Sequence, residues 1–179
     1  PNAIRGDVLE REVEVAIEAT FNGADWEELP DARFITQKTE HNLINDGTDA
    51  RKVSAIHVSD YMKEALIWSV PVEAKDKEGK FKFLSRNAGT IIGTVWQNAT
   101  KRGWGAGLTL DASTVKDSAN QDWAKVVTLY FDPTISLLQV VDSLRNLGMI
   151  DTVWQGRTFK VYNADTTQAL SLIHISERA

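Results

Sequence analysis

The chain has 179 residues, is 42% hydrophobic, carries a formal charge of −5 and contains no cysteine. That is enough apolar material for one compact domain or two small ones sharing a seam. It excludes disulfide-stapled scaffolds and thiolate metal sites, and the mildly acidic balance argues against a protein that grips nucleic-acid phosphates. The longest apolar runs, Ala65 to Val70 and Val126 to Phe131, are far shorter than the roughly 20 residues of a membrane-spanning helix. The chain opens on Pro1 rather than Met and reads as the interior of a longer protein. At the other end, Leu170 to Ser176, LSLIHIS, resembles the translated adapter of transposase-based sequencing libraries, so residues 170–179 are set aside as a scar.

In chain order, Val13, Val15, Ile17, Ala19 and Phe21 alternate with Glu12, Glu14, Ala16, Glu18 and Thr20. This predicts a half-buried strand with an acidic outer face, although the glutamates would also suit a helix. Asn22-Gly23 signals a hairpin turn, Trp26 to Pro30 bridges to a second strand at Ala32 to Thr36, and a polar run carries it to Leu43. Asn45-Asp46-Gly47-Thr48 is the next turn. A third strand follows, presenting either Val53, Ala55 and His57 or Ile56 and Val58.

Ser59-Asp60 is positioned to cap a helix running to Trp68-Ser69 with Tyr61, Ala65 and Leu66 on one side. Val70-Pro71-Val72 is extended, and Lys75 to Lys80, KDKEGK, is a solvated hairpin tip before Phe81 to Leu84. A second helix opens at Asn87 and carries Ile91, Ile92, Val95, Trp96 and Ala99 as its apolar stripe. Gly93 inside it marks close packing, and Gly103 stops it. Trp104 to Leu110 reads as extended, Asp111 to Asp122 as a polar loop, and Trp123 to Phe131 as a strand. Asp132 or Thr134 then caps a third helix with Leu137, Leu138, Val141, Leu144 and Leu147 on one face, ended by Gly148. Thr152-Val153-Trp154 and Thr158 to Tyr162 flank Gln155-Gly156-Arg157 as a β-hairpin.

Titratable groups give little chemistry. His41, His57 and His174 lack acids at ligand spacing, and there is no HExxH or GxSxG. Gly103, Gly105 and Gly107 do not make a dinucleotide fingerprint, and Gly89 to Gly93 lacks the Lys of a phosphate loop. Asp111, Asp117 and Asp122 invite a glycosidase pair but read as solvated loop acids. Trp96, Trp123 and Trp154 read as core, while Trp26, Trp68 and Trp104 lie near element ends where a sugar could stack. The Asn98-Ala99-Thr100 glycosylation match falls inside a helix. No catalytic, cofactor or metal residue is assigned.

The succession AGTIIGTVWQNATKRGW, TVKDSANQDWAKVVTLYFD and PTISLLQVVDSLRNLGMIDTVWQGRTFKVYN resembles minor tail proteins of long-tailed phages that infect actinobacteria. More loosely it is similar to tail-hub proteins of contractile phages and type VI secretion spikes. The matching residues are Gly103, Ser136-Leu137-Leu138 and Gly156-Arg157-Thr158-Phe159. The order of elements reads as an α+β architecture: three strands joined by tight turns, an antiparallel sheet or part of a barrel, over residues 1–58, then over 59–169 a domain of antiparallel sheet covered by two or three helices; the resemblance favours part of an antiparallel β-barrel for the first. It implies a non-enzymatic structural component of a phage tail tip, a hub or baseplate protein joining the tail tube to fibres or spike. Its partners would be other tail proteins and copies of itself, arranged as a ring of three around a channel that Glu12, Glu14 and Glu18 would line. No cofactor, membrane or specific nucleic acid enters, and the setting is the virion, assembled in the host cytoplasm. The alternative expectation is a module that binds or degrades cell-wall polysaccharide.

Overall fold

The computed structural model describes residues 13–20, 23, 25–43, 49–67 and 79–164. Among these residues, eight strands, two α-helices and one 3-10 helix make a mixed α+β fold: β1 (Glu14–Ala19), β2 (Glu27–Leu43), β3 (Asp49–His57), the 3-10 helix (Val58–Lys63), β4 (Phe81–Asn87), α1 (Ala88–Thr100), β5 (Thr109–Asp111), β6 (Val126–Phe131), α2 (Leu137–Asn146), β7 (Ile150–Gln155) and β8 (Thr158–Asn163). Among the described residues they form three small sheets, ordered β1-β2-β3, β4-β6 and β5-β8-β7. This corrects the expected architecture. The first sheet is an open antiparallel meander and not part of a barrel. The helical part does not carry one antiparallel sheet but two, and β5 runs parallel to β8. The cause lies after α1. Gly103, Gly105 and Gly107 all take positive φ (89°, 70° and 80°), a region open to glycine at little cost. They wind the chain where Trp104 to Leu110 was expected to be extended, leaving three residues of strand.

The first sheet departs from simple alternation as well. The β1–β2 register shifts between Ala16 and Glu18, opposite a kink in β2 where Pro30 precedes Asp31 at φ 51°. A bulge turns side chains to the other face. Ile17, expected inside, is therefore 51% exposed, while Glu14, expected in water, is half-buried between arginines. The turn at 45–48 and the segment 68–78, with Trp68 and most of the KDKEGK tip, lie outside the described residues.

The two α-helices form where their apolar spacing predicts. Asn87 caps α1, accepting from the Thr90 amide at 2.8 Å. Ser136, not Asp132 or Thr134, caps α2 in a reciprocal box: the Gln139 amide donates to its hydroxyl and its own amide donates to the Gln139 side chain. Thr134 instead donates its amide to Ile67, tying the chain after the 3-10 helix to the start of α2. That 3-10 helix is only two short turns, capped by His57, not the longer helix expected from Ser59. The main core joins these pieces, with Ile67, Phe81, Ile91, Leu137, Val140 and Leu144 almost fully buried, and Val153 and Tyr162 form a small second cluster. Each such side chain contributes roughly 1.5–3 kcal/mol. Trp96 of α1 stacks on Phe159 of β8 at 6.0 Å and lies edge-on to Trp104 at 5.2 Å.

Close packing falls on Gly89 rather than Gly93. A Cβ at Gly89 would sit 2.1 Å from the Ser113 carbonyl and 2.3 Å from the Trp123 indole nitrogen, whereas a Cβ at Gly93 would meet nothing within 4 Å. Gly93→Ala is therefore expected to stabilise the fold by up to about 1 kcal/mol through helix propensity. Gly89→Ala is expected to destabilise it by roughly 1–3 kcal/mol or more through overpacking. Urea melts of the two variants check both signs.

Candidate functional site

Among the described residues the polar groups gather in two places, and each closes a sheet edge. The first is the loop between β5 and β6, which holds Asp117 and Asp122, with Asp111 at the end of β5 leading into it. β5 pairs with only the first half of β8, so the amides of Val161 and Asn163 need other acceptors. Ser118 takes the Val161 amide on its hydroxyl at 2.7 Å and returns its own amide to the Val161 carbonyl at 2.9 Å. Asp117 takes the Asn163 amide and side-chain amide on one oxygen, at 3.0 and 2.8 Å. Its other oxygen accepts from the amides of Ala119 and Gln121, each at 2.9 Å. Asp117 is thus 4% exposed, against the expectation of a solvated loop acid. Four donors occupy its carboxylate, so it is a brace. Asp111 and Asp122 are exposed beside Lys160 (3.9 Å) and Lys116 (3.3 Å). Tyr162 packs near this loop; burial, then the charges of Asp111 and Asp117, push its phenol pKa up and keep it protonated.

The second place is the seam between the first sheet and the β7–β8 hairpin. The kink in β2 lays Asp31 along the outer edge of β7, where its carboxylate accepts the Trp154 amide at 2.7 Å. Its carbonyl accepts from His57 Nε2 at 2.9 Å. A carbonyl only accepts, so Nε2 carries the proton and Nδ1 is the acceptor for the Ser59 hydroxyl (2.6 Å) and amide (3.2 Å). A cavity of about 180 Å³ opens beside these groups, lined by Asp31, His57, Ser59 and Arg145 on its polar side and by Leu138, Val141 and Phe159 on its apolar side. Trp154 also lines it, and its indole N–H is buried without an acceptor.

A hydroxyl 2.6 Å from a neutral imidazole nitrogen is the distance of a nucleophile and its base. The arrangement here is different in two respects. The same Nδ1 lone pair takes the Ser59 amide, as a helix cap does, and the group orienting the ring is a neutral carbonyl rather than a carboxylate that would stabilise an imidazolium. The Asp31 carboxyl belongs to the Trp154 amide. Although much of Asp31 is exposed, burial of the carboxyl raises its pKa more than the Trp154 N–H and the Arg145 charge lower it.

Beside the cavity an ionic cluster ties the same two units together. Arg33 forks onto Glu28 at 2.5 and 3.0 Å and reaches Glu14 at 2.6 Å, while Arg157, from the hairpin turn, reaches the same Glu14 oxygen at 2.9 Å. The turn presents Arg157 here because Gly156, at φ 58°, takes the first of its two central positions. Glu14 was expected on an acidic wall with Glu12 and Glu18; it is instead the centre of this bridge. Glu12 lies outside the described residues.

The remaining sequence candidates divide as follows. Trp104 stacks on Tyr61 and donates its indole N–H to the Tyr61 carbonyl at 3.1 Å, so it is part of the core wall. Trp26 is 67% exposed. Trp96 and Trp154 are buried, and Trp123 packs on the core with its N–H on the Ser113 carbonyl. The backbone of His41 pairs with Arg51 in the first sheet; its side chain and all of His174 lie outside the described residues. Among the described residues no three His, Asp or Glu side chains converge as a metal site. Asp31 and Arg33 were missed as site residues; Pro30-Asp31, a turn-forming pair inside a strand run, is the signal that could have flagged the first. Comparison with protein-family models, with curated proteins and with solved structures finds no match, the tail-hub fold included.

The cluster sets a pH dependence. Burial alone would raise the Glu14 pKa, but the hydrogen bonds and charges of Arg33 and Arg157 outweigh it, and the carboxyl titrates below its usual range. A lowered folded-state pKa stabilises fully above the unfolded value of about 4.3 and is lost as pH falls through the folded one. The stability difference between the wild type and Glu14→Gln is therefore expected to be constant above about pH 5.5 and to shrink on acidification. Urea denaturation across pH measures it, and a difference that grows in acid would contradict the assignment.

Proposed function

We propose that this chain is a non-enzymatic structural component of a phage tail tip, working through protein–protein contacts with other tail proteins and further copies of itself. What carries the reading is the succession AGTIIGTVWQNATKRGW, TVKDSANQDWAKVVTLYFD and PTISLLQVVDSLRNLGMIDTVWQGRTFKVYN, in which it resembles minor tail proteins. The use of the polar side chains supports it. Asp117, Asp31, His57 and Glu14, the groups best placed for chemistry, are bonded to backbone amides and carbonyls or to the arginines that join one unit to the next. A second reading, binding of cell-wall polysaccharide, has one observation in its favour: Trp26 offers an indole face to solvent.

An antibody raised against the chain is expected to label the tail tip in electron micrographs of the phage particles that carry it. Label on the head, or particles purified without the chain, would overturn the proposal. Co-sedimentation with purified actinobacterial cell wall that disappears in Trp26→Ala would transfer the argument to the second reading.

A further inference from the structure

Of the sheet edges described above, β7 is capped by Asp31 and β8 by β5 and the Asp117 loop. β6 is different. It pairs on one side with β4, and its other edge meets no strand among the described residues. Its sequence, VVTLYF, has neither a charge nor a proline to blunt that edge, and every residue but Leu129 is β-branched or aromatic. Val126 is 66% and Tyr130 49% exposed, with Thr128 exposed between them on the same face, while Val127 and Leu129 pack on the core. An open, neutral edge of this composition is a template for another strand.

We propose that β6 is a two-fold contact, pairing antiparallel with β6 of a second copy of this chain about Thr128. In that register Val126 lies opposite Tyr130 of the second copy, Thr128 opposite its counterpart, and Val127 opposite Leu129. These pairings keep every side chain on its present face, as the two-residue period of a strand requires. They match a β-branched residue with an aromatic one twice and bring two threonines together, both favourable cross-strand pairs. The strand ends select the second copy in this orientation. Lys125, whose ammonium donates to the Gly148 carbonyl at 2.8 Å, precedes the strand, and Asp132, 78% exposed and 3.9 Å from Lys80, follows it. Antiparallel pairing brings the lysine end of each strand to the aspartate end of the other, whereas parallel pairing would bring like ends together. The product is a four-stranded sheet, β4-β6-β6-β4, in place of two marginal two-stranded ones, and it is closed because a two-fold contact uses the same patch on both copies.

The proposal follows from β6 alone and stands or falls apart from the tail-tip reading. Sedimentation velocity on the whole chain over a concentration series is expected to show a monomer–dimer equilibrium. Val126→Lys combined with Tyr130→Lys places lysine opposite lysine twice and is expected to weaken the dimer by about tenfold or more. Val126→Lys combined with Tyr130→Glu places lysine opposite glutamate and is expected to restore it. Both positions are exposed, and circular dichroism melts confirm that each variant folds. A wild type that stays monomeric throughout, a dimer indifferent to the double lysine variant, or equal loss in both variants would overturn the contact.

Discussion

The bond from the Trp154 amide to the Asp31 carboxylate, 2.7 Å long, is where the separate parts of this fold meet. Trp154 sits on the outer strand of the β5-β8-β7 sheet, so its outward amide has no strand to satisfy it. The kink in β2 supplies the acceptor, and with it the first sheet docks. On the other side of the same residue, the indole lies 5.0 Å from Phe159 and 6.4 Å from Trp96, which brings α1 into register with the hairpin. A hydrogen bond to a charged acceptor is worth about 1.5–3 kcal/mol, less than the aromatic burial behind it, but it fixes where that burial occurs. Protonation of Asp31, favoured by its raised pKa, leaves a carbonyl oxygen able to accept the same amide. The acid sensitivity of the seam therefore belongs to Glu14 and its two arginines rather than to Asp31.

One constraint explains the distribution of polar residues: small sheets have much edge for their area, and each edge needs partners. Asp117 and Ser118 extend the work of β5 along β8 with side chains in place of a strand. Asp31 does so for β7. His57 holds the kink from behind, its ring fixed between the Asp31 carbonyl and the first turn of the 3-10 helix. Groups that in another setting would form an acid–base pair are here committed to backbone, which is the reading carried into the proposed function. β6 has no such cap among the described residues.

Much of this was legible in the sequence, and what was not has a common cause. α1, α2 and the β7–β8 hairpin depend on local signals, namely apolar spacing, Asn87, Gly148 and the Gly156-Arg157 turn, and local signals survive into the fold. The Ser136 cap is equally local: Ser136 with Gln139 three residues on is the capping-box pattern, whereas Asp132 and Thr134 only flank Pro133, a residue suited to a first helical turn. The errors concern partners distant in sequence. The burial of Asp117 depends on β8, more than 40 residues away, and the role of Asp31 on β7, more than 120 away. Gly93 and Gly89 are both helical glycines, and only the position of Trp123 and Ser113 tells which one is needed for close approach. The expected barrel failed for the same reason: alternation finds strands, but closure depends on how edges are capped.

The central claim is that these polar side chains hold the units together, with Asp31 on Trp154 as the principal link. Native-state hydrogen exchange at the Trp154 amide in the wild type and in Asp31→Ala tests it most directly. The account expects strong protection in the wild type. In the variant, protection should fall at Trp154 and in β2 around the kink while the amides of α1 and α2 keep theirs. Unchanged protection of Trp154 in Asp31→Ala would contradict it.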